Sequence, residues 1–173
     1  MKFSRLTSTG NAGFADAIAL YNISFPSHEL RESASQLRIM AHPEYHFDLI
    51  YDAGQWCGNI LYWETAEFIY IEHFCIRPEL RGRHIGQRAL ALLGTRGKTV
   101  ILEIDPPIDD ISRRRREFYT RCDYCENPFS HVHPPYHKGL DGHSLVIMSY
   151  PRALSDSEYA RFSEYLQTVV MGQ

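Results

Sequence analysis

Phe68-Ile69-Tyr70-Ile71-Glu72-His73-Phe74-Cys75-Ile76-Arg77-Pro78-Glu79-Leu80-Arg81-Gly82-Arg83-His84-Ile85-Gly86-Gln87 is the stretch around which the chain is arranged. Its first part, Phe68 to Ile76, is rich in β-branched and aromatic side chains and reads as a strand. Pro78 cannot donate to a ladder, so the strand should stop just before it. Ile85, Ala89, Leu92 and Leu93 then recur at helical spacing and mark a helix with one buried stripe, closed by Gly94 and Gly97. In the turn between, Gly82 and Gly86 flank basic residues. The first turn of a helix carries unpaired N–H groups and the positive end of the dipole. Glycine lets an anion approach the backbone, and arginine can grip phosphate oxygens in a bidentate way. Arg81, Gly82, Arg83, His84, Ile85, Gly86 and Gln87 therefore predict a phosphate or pyrophosphate site. The Gly-Lys-Ser/Thr ending of a P-loop is missing, and so is the third glycine of a dinucleotide turn. The plain alternative is a surface turn with ordinary arginines.

Upstream, Tyr45–Tyr51 and Gln55–Trp63 read as strands joined by a hairpin turn at Asp52-Ala53-Gly54, and Glu64–Glu67 forms a second turn. Three antiparallel strands thus lead into the phosphate turn. Before them come a strand at Phe3–Leu6, a helix at Ala15–Ile23, and a second helix at His28–Met40 capped by Ser27. Downstream, Thr99–Ile104 reads as a strand, Asp109-Asp110 opens a helix from Ile111 to about Arg121, and Tyr124–Glu126 and Ser144–Tyr150 are strands. Between the last two lies a long loop holding His131, His133, Pro134, Pro135, Tyr136, His137 and His143, and loops of this length in a compact domain are often functional. A final helix at Asp156–Val169 begins with a Ser155/Glu158 capping box. Its apolar face (Tyr159, Phe162, Leu166, Val169) suits either the core or a homodimer.

At 173 residues with a formal charge of −3, the chain is expected to be one domain, 1–173, without the basic field that nucleic acid would need. No apolar run reaches the roughly 20 residues that span a bilayer, and Met1 to Thr7 shows no signal-peptide pattern, so a cytoplasmic protein with no membrane partner is expected. Cys57, Cys75, Cys122 and Cys125 are too sparse for a disulfide framework.

The segment Ile76 to Gly86 resembles the acetyl-CoA signature of the GNAT superfamily of N-acetyltransferases, Arg/Gln-x-x-Gly-x-Gly/Ala after a strand. Arg81 matches its first position and Gly86 its last; His84 stands where the family usually has a glycine. Arg116 to Tyr124 is similar to a second family signature, with Phe118-Tyr119 as its apolar-Tyr pair and Asp123-Tyr124 in place of Gly-Phe. The order of elements follows that fold over nearly the whole chain. The resemblance implies a mixed α/β (α+β) fold with a central, mostly antiparallel twisted sheet flanked by helices. It also implies acetyl-CoA as co-substrate, no metal, and a small-molecule amine or peptide as acceptor. In the family the strand splays from its neighbour near Phe74, Cys75 and Ile76, whose backbone groups pair with the pantetheine arm, and one N–H polarises the acetyl carbonyl. Ser112 falls where many members place an Asn that contacts CoA. Tyr119 holds the position of the acid that protonates the departing thiolate.

Acetylation of an amine needs it neutral, and a free lysine amine is neutral in only about one molecule in 2,000 at pH 7. Glu72 is the candidate base, acting through water. It interrupts an apolar strand and shares a face with Tyr70 and Phe74 by the period-two rule, with His73 on the other face. The competing explanation is a Glu paired with an arginine or facing solvent. Glu103 and Glu64 are weaker rivals. Cys75 reads as a buried thiol rather than a nucleophile. Two other functions stay open: a non-catalytic CoA-binding or regulatory module, and a zinc-binding interaction protein built on Cys122, Cys125, His131, His133 and His137.

Overall fold

The computed structural model describes residues 1–172. In chain order it has β1 (Lys2–Leu6), α1 (Phe14–Ser24), a 3₁₀ turn (Ser27–Glu29), α2 (Ser33–Ile39), β2 (Tyr45–Asp52), β3 (Gln55–Glu64) and β4 (Phe68–Ile76). A second 3₁₀ turn (Pro78–Leu80), α3 (Ile85–Gly94), β5 (Thr99–Ile104), α4 (Asp110–Arg121), β6 (Cys125–Glu126), β7 (His131–His133) and β8 (His143–Tyr150) follow. The described residues end with α5 (Asp156–Tyr165) and a π turn (Leu166–Val170). The sheet runs β1-β2-β3-β4-β5-β8-β6, with β7 also laid on β8. β4 and β5 are parallel, linked through α3; the other pairs are antiparallel. This is the expected mixed α/β, mostly antiparallel sheet flanked by helices. Ala53 (φ 48°) and Gly54 (φ 82°) make the two-residue β2–β3 hairpin, the left-handed pair that matches strand twist.

Strand alternation divides the apolar side chains between two cores. Tyr21, Phe47, Trp63, Tyr70, Phe162 and Leu166 fill one, beneath α1, α2 and α5. Ile60, Ile71, Leu90, Leu93, Leu102 and Tyr119 fill the other, beneath α3 and α4.

Three elements differ from expectation. The helix predicted over His28–Met40 is two pieces: the 3₁₀ turn closes at an extended Leu30 (ψ 138°), and α2 starts only at Ser33. Ser27 makes no side-chain cap. A tertiary contact explains the break, because the Arg31 N–H is bound by the Tyr21 hydroxyl at 3.1 Å instead of entering a helix. The predicted histidine loop contains β7, whose His131, Val132 and His133 pair with Leu145, Ser144 and His143. The last helix keeps its Ser155/Glu158 capping box but ends at Tyr165, and the π turn beyond it turns Leu166 and Val170 into the core.

Candidate active site

The site begins where the parallel pair comes apart. β4 and β5 are in register from Phe68 opposite Thr99 to Ile71 opposite Leu102, and then diverge. On the other side β4 stays paired with β3 out to Ile76 opposite Gly58. The Arg77 N–H bonds the Cys57 carbonyl at 2.9 Å. By strand alternation Cys75 also faces β3, while the N–H and C=O groups of Phe74 and Ile76 face the gap. The Ile76 carbonyl there accepts from Arg81 Nε at 3.2 Å. A cavity of about 340 Å³ fills the wedge, lined among others by Glu72, Phe74, Glu103, Tyr119, His133 and Tyr136.

Across the β3–β4 ladder, Leu61 pairs with His73 and Tyr62 with Ile71, so Glu72 is the extra residue of a β-bulge. The bulge corrects the face assignment made by simple alternation. Phe74 packs into the α3–α4 core, opposite Tyr70. His73 turns to the α1 side with Glu72, its ring wedged between Tyr21 (4.9 Å) and Phe25 (4.8 Å).

The Glu72 side chain is completely shielded and both its oxygens are occupied. Arg31 Nε (2.8 Å) and the Tyr136 hydroxyl (2.9 Å) donate to Oε1, and Trp63 Nε1 (2.8 Å) donates to Oε2. Burial alone would raise its pKa, but the Arg31 charge and these donors bring the net value below the ordinary one. The extended 3₁₀–α2 junction carries Arg31 in from one side, and the Val170 carbonyl of the π turn holds its guanidinium at 2.6 Å from the other. Glu72 thus has the arginine partner of the competing explanation, and it stands in the cavity wall.

Glu103, its counterpart on β5, is held differently. Its Oε2 accepts from the Tyr70 hydroxyl at 2.5 Å, and its Oε1 is bound by His131 Nε2. His131 is backed in turn by the Tyr159 hydroxyl at 3.0 Å. Burial pushes Glu103 up, and the His131 hydrogen bond with the neighbouring histidines more than offsets it, leaving a net lowering. Tyr119, from α4, lines the cavity with its ring against Phe118 and Tyr124. Burial pushes its pKa up to about 12, so the phenol keeps its proton at neutral pH.

The predicted phosphate turn lies at the mouth of the gap. Arg81, Gly82, Arg83, His84 and Gln87 are exposed, Ile85 is buried, and no side chain caps α3. Gly82 (φ 76°) and His84 (φ 56°) are both left-handed. His84 thus keeps the backbone form that makes glycine the usual choice there, and Asp123 (φ 64°) does the same in the second signature. Gly86 packs close to Phe74: a Cβ on it would lie 3.5 Å from the Phe74 ring and 3.2 Å from Phe118.

Two predicted residues sit apart from the gap. Ser112 is buried in the first turn of α4, where it closes a capping box with the N-cap Asp109: its N–H bonds Asp109 Oδ1 at 2.7 Å and its hydroxyl accepts from the Asp109 N–H at 3.1 Å. Cys75 is buried, and burial raises its thiol pKa. Cys122 follows the end of α4, Cys125 lies in β6, His131 and His133 turn to Glu103, and His137 Nε2 faces the Ser27 carbonyl. Among the described residues, no three His, Cys, Asp or Glu side chains are arranged so that they could hold a metal ion.

Sequence reasoning gave no role to Arg31 or Trp63, and named Tyr70 and Tyr136 without the carboxylates they bind. The one available signal was that Glu72 and Glu103 interrupt apolar strands and must have partners.

Comparison with known proteins agrees with this fold. The profile of the acetyltransferase (GNAT) family matches residues 14–124. A Bacteroides thetaiotaomicron protein assigned to the same family superposes with a TM-score of 0.93 at 27% identity, over 100% of this chain and 99% of its own. The ribosomal-protein-S18-alanine N-acetyltransferase of Escherichia coli has a TM-score of 0.56 at 15% identity, covering 89% and 95%. A Bacillus subtilis acetyltransferase in complex with CoA has 0.57 at 10% identity, covering 86% and 96%. At those identities the latter two speak for the fold alone. A sequence search of curated proteins finds no match. From its family match and its fold, the chain belongs to the GNAT family of acetyltransferases.

Proposed function

We propose that the chain transfers an acetyl group from acetyl-CoA to a primary amine, by direct attack of the amine in a ternary complex. The observation that carries this reading is the open β4 edge at Phe74 and Ile76, placed between an uncapped helix N-terminus and a cavity of mixed apolar and polar lining. The backbone groups of Phe74 and Ile76 take the pantetheine arm as an added strand. Cys75 backs this edge from the α1 side. The N–H groups of His84, Ile85, Gly86 and Gln87 hold the pyrophosphate, with Arg81 and Arg83 adding charge and Gly82 allowing the turn. The bound thioester supplies an activated acetyl group. Tyr119, protonated at neutral pH, gives its proton to the departing sulfur and recovers one from the new amide nitrogen. Glu72 and Arg31 hold the wall against which the acceptor lies. Ser112 acts through the α4 cap rather than by touching the ligand. The solved relative bound to CoA has the same fold, and another acts on the alanine of a ribosomal protein, which suits an amine acceptor here too.

Titration calorimetry tests this reading, with acetyl-CoA as ligand and ATP and adenosine 3′,5′-bisphosphate as controls. Micromolar binding that needs the pantetheine arm is expected, weakened about tenfold in Arg81→Ala. Failure of acetyl-CoA to bind, or full affinity in the variant, would remove the proposed site.

A further inference from the structure

The cavity contains a basic nitrogen to which the roles above give no task. His133, at the end of β7, is 5% exposed and is one of the residues lining the cavity. Its Nδ1 lies 2.6 Å from the Pro134 carbonyl. A carbonyl can only accept, so Nδ1 carries the proton and the lone pair of the neutral ring is on Nε2. Nε2 is buried without a hydrogen-bond partner. Native interiors rarely leave such a group unmatched unless it has a partner still to come. The nearest carboxylate oxygen, Glu103 Oε2, stands 3.9 Å away, too far to bond and close enough for its charge to act.

We propose that His133 Nε2 is the proton acceptor for the incoming amine, with Glu103 as its positioning anion. This rests on the acetyltransferase reading and deepens it. The bound ammonium gives one proton to Nε2, and its freed lone pair forms the C–N bond to the acetyl carbon. The C–S bond then breaks with its electron pair on sulfur, which takes a proton from Tyr119. Tyr119 recovers a proton from the amide nitrogen, and the His133 imidazolium returns its own to solvent. Glu103 is suited to its part because Tyr70 and His131 fix its orientation.

The other groups around the cavity do not displace this assignment. From β4, Glu72 is already paired with Arg31. His73, also from β4, has a buried unpartnered Nδ1, but burial lowers its pKa and its neighbouring carboxylate is the one shared with Arg31. Arg115, from α4, is paired with Asp105 at the end of β5. His28 and Glu29 come from the 3₁₀ turn, His143 from β8, and Tyr136 and Asp141 from the loop; Tyr136 packs its ring 4.9 Å from that of His133.

The test compares wild type, His133→Gln and His73→Gln. CoA release from acetyl-CoA is followed against pH with tyramine, with spermidine and with water alone as nucleophile, and acetyl-CoA affinity is measured alongside. His133→Gln is expected to keep acetyl-CoA affinity, lose about a hundredfold or more in kcat/KM, and lose the acid limb of the profile, while His73→Gln keeps that limb. Retention of the limb in His133→Gln, or its loss only in His73→Gln, overturns the inference while leaving the acetyltransferase reading intact. Failure of the wild type to bind acetyl-CoA removes both. A second readout needs no acceptor: nitrogen-15 NMR of histidine-labelled protein should show the Nδ1–H tautomer for His133. An Nε2–H tautomer would leave Nε2 without a lone pair to accept a proton and would also overturn it.

Discussion

At the scale of single residues, the Glu72–Arg31 pair joins stability to the shape of the site. Both side chains are almost wholly buried and bonded at 2.8 Å, so removing the cation leaves a buried carboxylate without its countercharge. Arg31→Met is expected to destabilise the protein by about 3–5 kcal/mol at neutral pH, read by chemical denaturation. The pH dependence has a definite sign. The pKa of Glu72 in the folded wild type lies below its ordinary value of 4.5, so its contribution is present above that value and is lost as pH falls through the folded one. In Arg31→Met burial dominates and raises that pKa, so acid protonates the stranded carboxylate and relieves the strain. The gap between the two proteins should narrow in acid; a constant gap would mean that Glu72 is not the group responsible. His84 poses a different question, because a left-handed φ of 56° suits glycine. His84→Gly is expected to tighten acetyl-CoA binding with little change in melting temperature, since relief of strain and loss of chain stiffness offset each other.

At the scale of elements, the β4 edge proposed for the pantetheine arm depends on how β3 and β4 lie together. Gly58 sits opposite Ile76, and a Cβ there would come within 2.2 Å of the Cys75 carbonyl oxygen and 2.9 Å of Ile76 Cα. Both are backbone atoms, so the strands must separate. Gly58→Ala is expected to lower stability by about 3 kcal/mol or more and to weaken acetyl-CoA binding, measured by thermal unfolding and calorimetry. Helix α4 gives a test with the opposite outcome. Ser112 completes its capping box, so Ser112→Ala should lower stability by about 1 kcal/mol and leave acetyl-CoA affinity unchanged. A large loss of affinity would instead restore Ser112 as a ligand contact.

At the scale of the whole molecule, residues packed on both cores line the cavity in the wedge between β4 and β5, and a ligand there should couple them. Acetyl-CoA at about a hundredfold excess over Kd should add about 2.7 kcal/mol of stability by mass action. Hydrogen exchange at the Phe74 and Ile76 amides should slow on binding, because both gain partners; unchanged exchange there would place the ligand elsewhere.

Local patterns in the chain were enough for much of this. The alternation before Pro78, the stripe after His84, the left-handed hairpin pair at Ala53-Gly54 and the Ser155/Glu158 cap are short-range signals, and the elements they predict are present. The turn proposed to hold phosphate was readable as a turn for the same reason: its helix N-terminus and arginines lie within a few residues of one another. What tertiary structure alone decided was which groups meet across long separations. Arg31 leaves a helical stretch because Tyr21 takes its N–H, and it reaches a glutamate on β4. The bulge at Glu72 arises from the ladder with β3 and turns Phe74 away from the face that alternation assigned to it. His133 faces Glu103 because β7 folds onto β8 and brings a loop histidine back over β5. Periodicity tells which side of an element is buried; it carries no information about which buried polar groups find one another, because that depends on the packing of every element around them.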